Sequence, residues 1–335
     1  MAMREFWLLT TFFLVALRRA LTVAWIRINK FLTNPDWLIR PVTSFRHKVV
    51  IIGDGFAEGL GDWVVMGGMA GVTRVLEKHA GSDDKVRTNW QIINRGRAGS
   101  VSADWLPSDE KSLYHRKARA AACKDAEIFV VALGTMDVVG ECVGMPVAAM
   151  RKTALDTFEE DEVCDTVKNL REICDALRAE GKKVIVCNVM TSGAGINRRA
   201  GTAKRLNRQL ALYTRATAAE PAAPAAPRSA ETPQAAQEGP RVELVKMNNP
   251  RASRDDGRAF DGLHLNARGY RAFAGALYEA LGPMLVAVEW KVWRSKLAEG
   301  LAEGLASGAL GGAAPTAPAS DENVKPKSKR NKKAD

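Results

Sequence analysis

Cysteine is scarce and badly placed for chemistry. The five present, Cys123, Cys142, Cys164, Cys174 and Cys187, are odd in number and scattered, and none is spaced as CxxC or as a Cys/His pair. Neither a disulfide framework nor a zinc site is indicated, and a reducing compartment fits best. No Asn-x-Ser/Thr sequon occurs, in keeping with a body that never enters the secretory lumen. Internal repeats are absent. The apolar N-terminal run FWLLTTFFLVAL has twelve residues, short of the ~20 that a spanning helix needs.

What is there is length enough for a full core: 335 residues, 46% of them hydrophobic, need no staples to fold. The net charge of +11 sits at the ends. Residues 1–48 carry eight Lys/Arg against two acids, and residues 321–335 carry six against three, which leaves the 272 residues between them nearly neutral. Basic ends on a neutral body suit an anionic membrane leaflet better than a nucleic-acid groove. After the apolar run, Leu21, Ala24, Trp25, Ile28 and Leu32 share one helical face, with Arg18, Thr22 and Asn29 on the other. Residues 1–47 are therefore expected to form a hydrophobic and amphipathic basic helix that attaches to an intracellular membrane. The chain ends in KKAD, which resembles the dilysine retrieval signal of endoplasmic reticulum membrane proteins with cytosolic tails. The endoplasmic reticulum with a cytosolic body is the expected location, and the Arg-bearing N-terminus keeps the mitochondrion as the alternative.

Between the ends, short β-branched runs alternate with helical stretches. The strands expected are KVVII (48–52), WQIIN (90–94), EIFVVAL (127–133), KKVIVCNVM (182–190) and VELVKM (242–247). Helices are expected over 64–80, 114–125, 159–181, 197–217 and from Leu265 to Leu281. Such alternation gives an α/β fold with a parallel five-stranded sheet covered on both faces. The body runs over 48–281, interrupted by an Ala/Pro-rich insertion at 217–240 that is too low in complexity to pack. An amphipathic helix over 282–305, bearing Trp290 and Trp293, and a polybasic tail over 306–335 complete the chain.

In parallel sheets chemistry gathers beyond the carboxyl ends of the strands. There the chain carries GDG (53–55) after the first strand, NRGRAGS (94–100) after the second, GTMD (134–137) after the third and FDGLHLN (260–266) after the fifth. Order and spacing resemble the SGNH hydrolases, also called GDSL esterases and lipases, over roughly residues 48–281. The resemblance implies a flavodoxin-like three-layer α/β/α sandwich. It makes Asp261 and His264 the acid and general base of a triad, Asn94 and Gly99 the second block, and Gly99 a donor to the oxyanion hole. Two positions depart from the family pattern. Gly55 stands where the nucleophilic serine belongs and Met136 where the oxyanion asparagine belongs; neither offers the oxygen or the N–H required. Losing the nucleophile costs about 10⁶ in turnover in the serine-protease case, and losing an oxyanion donor about 10²–10³.

Two substitutes for the serine are conceivable: Ser100 or Ser102 beside Gly99, or a water in the vacated space activated by His264. Asp54 and Asp137 read as buried acids that brace their turns. GDGFAEG contains Gly-x-Gly after a strand, but Gly59 comes one residue too late for a dinucleotide site and no partner acid follows. No metal or cofactor is indicated, and nucleic acid is not an expected partner. The reading is a membrane-attached, catalytically inactive SGNH-like protein whose inherited pocket holds a lipid, an acyl or acetyl group, or a protein. The alternative is a working ester hydrolase.

Overall fold

The computed structural model describes residues 6, 7, 9–17, a few positions from 20 to 28, and then 47–62, 71–139, 160–193, 196, 200–219, 242–247, 257–259 and 262–306. Asp261, the Ala/Pro-rich stretch from 220, the tail beyond 306 and Cys142 lie outside them.

Five runs rich in Val and Ile form one sheet: β1 (His47–Gly53), β2 (Trp90–Asn94), β3 (Ile128–Ala132), β4 (Lys183–Cys187) and β5 (Val242–Val245). All pairings are parallel, in the order β2-β1-β3-β4-β5. Every residue of β1 and β3 is buried, so these strands show no polar alternation: helices cover both faces.

The helices are α1 (Gly55–Glu58), α2 (Val72–Ser82), α3 (Thr135–Val139), α4 (Glu160–Ala179), α5 (Ala200–Ala219) and α6 (Ala267–Ala306). The path from β1 through α2 to β2 runs one way along the sheet, and the paths through α4 and α5 run the other. Right-handed crossovers therefore put α2 on one face and α4 and α5 on the opposite face. α4 packs on α5 and β4, and α5 on β5. On the other face α6 meets α2, where Tyr278 stacks on His79 at 5.3 Å and donates to Asp83 Oδ2 at 2.8 Å. The result is the three-layer sandwich expected.

Two of the expected helices differ in the structure. Residues 114–125 do not form an α-helix; they fold as a π turn, Tyr114–Ala118, and a 3₁₀ turn, Ala121–Cys123. Tyr114 and Cys123 are both buried, yet nine residues of regular helix would set them about 180° apart. Breaking the helix lets both face the core. The second difference is that one helix, α6, runs unbroken through Pro283, where an end near 281 and a new helix were expected. Proline removes one backbone hydrogen bond, but Leu281, Met284, Leu285 and Val288 around it are all buried, and their packing outweighs that loss.

The chain forms two compact units, residues 1–289 and 290–335. In the second, Trp290 and Trp293 are exposed and meet edge to face at 5.3 Å. Among the described residues, the helix long and apolar enough to cross a membrane is Ala267–Glu303. Its first turns are core, with Tyr270, Phe273, Leu277 and Leu281 almost wholly buried. Positions 6, 7 and 9–17 are helical, and Phe6, Trp7, Leu9, Phe13 and Leu14 among them are exposed.

Candidate active site

In this strand order β1 and β3 are neighbours whose connections leave in opposite directions, which opens a crevice at their carboxyl ends. The chain crosses it at Gly53. A Cβ there would lie 2.1 Å from the Ala132 carbonyl oxygen of β3, so only glycine lets the two strands approach this closely. Asp54 then donates its N–H to that same oxygen at 3.2 Å and caps α1, its Oδ1 accepting the Phe56 N–H at 2.9 Å. Gly55 is the first residue of α1 and is buried.

The loop after β2 is tied to α1 by two buried side chains. Asn94 donates from Nδ2 to the Ala57 carbonyl at 2.8 Å and accepts the Gly96 N–H at 2.9 Å. Glu58 accepts the Ala98 N–H at 2.6 Å. Gly99 comes next in the left-handed region, with φ +79° and open space around it. Ser100 is buried; its hydroxyl donates to the Arg97 carbonyl at 2.9 Å and accepts from Trp105 Nε1 at 3.0 Å. Ser102 is also buried, its hydroxyl donating to Asp137 at 2.5 Å and accepting from Asn169 Nδ2 at 3.0 Å. Both hydroxyls are held by structural bonds and neither is presented to the crevice as a nucleophile.

After β3, α3 carries Met136 and Asp137. Met136 is buried, and Asp137 accepts the Ser102 N–H at 3.0 Å besides its hydroxyl. Burial raises the Asp137 carboxyl above its usual range, against the pull of the Ser102 hydroxyl and N–H. Asp54 is pushed further, up to about 7, first by complete burial; the Phe56 N–H works against this and the charge of Asp137 adds to it. Its Oδ2 has no hydrogen-bond partner, although the N–H groups of Met136 and Thr135 favour its charged form. Two acids thus brace the crevice floor from below.

His264 arrives from the loop before α6 and is buried. Its ring lies tilted against Phe56 at 5.2 Å, and its Nε2 is 2.6 Å from the point where a Cβ on Gly55 would sit. A hydroxyl-to-imidazole bond needs about 2.8 Å between oxygen and nitrogen, with the Cβ one bond further away. Here the Cβ itself would stand at that distance, so the ring edge fills the volume of the absent side chain. A water standing in the serine's place would share this narrowed space with the His264 ring. Tyr270 holds the arrangement from beneath, donating to the Leu60 carbonyl at 2.9 Å.

The structure thus brings Gly55, Asn94, Gly99, Met136, Asp137 and His264 to one end of the sheet. The sequence reading missed Glu58, Tyr270 and Asn169, which hold the loops; a buried acid three residues beyond Gly55 was the one readable sign. Among the described residues no cluster of His, Cys, Asp and Glu is arranged to hold a metal. Cys123, Cys174 and Cys187 are buried and, among the described residues, form no disulfide; Cys123 Sγ accepts from Arg95 Nε at 3.3 Å.

A parallel 2-1-3-4-5 sheet with a capped turn after β1 and a histidine from the last loop above it defines the class as a flavodoxin-like, doubly wound α/β fold. Residues 51–272 match the model of the GDSL-like lipase/acylhydrolase family, and the chain belongs to that family. No curated protein matches the sequence significantly. The chain is similar to a GDSL-like lipase from Bacteroides thetaiotaomicron, with 17% identity across 77% of this chain and 98% of that one at a TM-score of 0.46. It is also similar to an α/β hydrolase enzyme from the metagenome of Lake Arreo, with 16% identity across 71% and 96% at a TM-score of 0.45. A catalytic mutant of an acetylxylan esterase from Geobacillus stearothermophilus shares 13% identity across 71% and 95% at a TM-score of 0.46.

Proposed function

We propose that this chain is a non-catalytic member of the GDSL-like hydrolase family, attached to an intracellular membrane by its N-terminal helix, that binds a lipid, an acyl ester or a protein where its relatives hydrolyse esters. The observation that carries this reading is the 2.6 Å between His264 Nε2 and the Cβ position of Gly55. A centre that had merely lost its serine oxygen would keep a gap. In this one the base has closed into it, and Met136 supplies no side-chain N–H for an oxyanion. The neighbouring Ser100 and Ser102 hydroxyls are engaged elsewhere. Exposed Phe6, Trp7 and Phe13 support the attachment.

The test offers the full-length protein p-nitrophenyl acetate and butyrate and a fluorophosphonate probe for activated serines. The expected result is no turnover above that of His264→Ala and no labelling. Turnover that His264→Ala abolishes would overturn the reading. Gly55→Ser alone is expected to remain inactive, because the new side chain must first displace the imidazole.

A further inference from the structure

Beside the crevice, the 97–100 turn and the irregular segment 102–116 enclose a polar cleft of about 490 Å³. That size suits a small ligand. Gly99 and Ser100 touch both places, but neither Gly55 nor His264 lines the cleft. A ligand held in the cleft is therefore a role beyond the proposed loss of hydrolysis and independent of it.

Three cations face the cleft, Arg97, Lys111 and Arg116. All three are exposed, and none has a side-chain hydrogen bond or ion pair among the described residues. Two carboxylates also line it, but each already serves the backbone. Asp104 accepts the Val101 N–H at 3.0 Å and Asp109 the Lys111 N–H at 2.9 Å. Ser112 also lines the cleft, with its hydroxyl buried in the wall. The cleft therefore holds a surplus of donors and of positive charge, and its ligand must bring acceptors and negative charge. Two guanidinium forks favour an oxyanion with several equivalent oxygens, which is the geometry of phosphate. The volume leaves room for an organic group attached to it.

We propose that this cleft binds the phosphate group of an organic phosphate, with Arg97 and Arg116 as its forks and Lys111 as a third charge. The same group is presented by a soluble phosphomonoester and by the headgroup of an anionic lipid, and the experiment separates them. Full-length protein is titrated calorimetrically with inorganic phosphate and with glycerol 3-phosphate, and in a second arm by flotation with phosphatidylcholine vesicles with and without phosphatidic acid. Two variants accompany it: R97Q/R116Q, and K204Q/R208Q on the exposed side of α5 as a charge-matched control. The proposal expects affinity to fall at least tenfold in R97Q/R116Q and to be unchanged in the control. If the soluble probes show this pattern the ligand is a free phosphomonoester; if only the phosphatidic acid vesicles do, it is a lipid headgroup. Absence of binding to every probe overturns the proposal, as does equal binding by R97Q/R116Q or an equal loss in the control. Thermal melts of the two variants, both altered only at exposed side chains, establish that they are folded.

Discussion

Asp54 commits one carboxylate oxygen to the Phe56 N–H and leaves the other buried without a partner. Its carboxyl titrates near 7 in the folded protein against 3.8 as the ordinary value. Below that lower value both states hold the proton and the group is neutral to stability. As pH rises toward 7 the unfolded chain ionises first, so the native state loses stability through this window and the loss levels off above it. An asparagine carries no charge at any pH. Asp54→Asn is therefore expected to gain on the wild type between pH 4.5 and 8, by up to roughly 4 kcal/mol, in urea unfolding followed at both values. A difference that stays constant with pH would show that Asp54 is not the group responsible. The same residue scale shows what sequence could reach. Gly55, Met136 and His264 are readable as family positions because a few loop residues carry each block. The closure of the His264 ring against Gly55 is not, since it depends on how a loop more than 200 residues away settles on α1.

At the scale of elements, one side chain of α6, Glu289, gathers four donors from β2 and the residues just before it. Glu289 accepts the N–H groups of Arg87 and Thr88 at 2.9 and 3.0 Å, the Thr88 hydroxyl at 2.5 Å and Trp90 Nε1 at 2.9 Å. Burial alone would raise its carboxyl, but these donors, the Thr88 hydroxyl foremost, outweigh burial and lower it. Its contribution is present above the ordinary glutamate range and is lost as pH falls through it. Glu289→Gln keeps the shape but turns two donors toward groups that are themselves donors. It is expected to destabilise the fold by about 1–3 kcal/mol at pH 7, with the deficit shrinking toward pH 3. Equal stability in denaturant at pH 7 would remove Glu289 from this role. The strands were legible because buried parallel strands are continuous β-branched runs, as in KVVII and WQIIN. Residues 114–125 were not, because their helical composition says nothing of where Tyr114 and Cys123 must point. A helix end near 281 was expected, yet the apolar residues on both sides of Pro283 carry the helix through.

On the scale of the whole molecule, the sheet fixes polarity. If the N-terminal segment attaches to a membrane as proposed, the full chain should sediment with membranes in cell fractionation. A Trp7→Glu, Phe13→Glu, Leu14→Glu variant should then shift at least half of it to the soluble fraction. A variant that still sediments fully would place the attachment elsewhere, with exposed Trp290 and Trp293 as the next residues to change. The direction of β1 has a consequence for reach. The chain enters the sheet at His47 and delivers the Gly55 turn past Gly53, seven residues of strand or about 23 Å further on. The chain therefore enters the sheet at the amino end of β1, and the Gly55 turn opens at the opposite, carboxyl end of the strands.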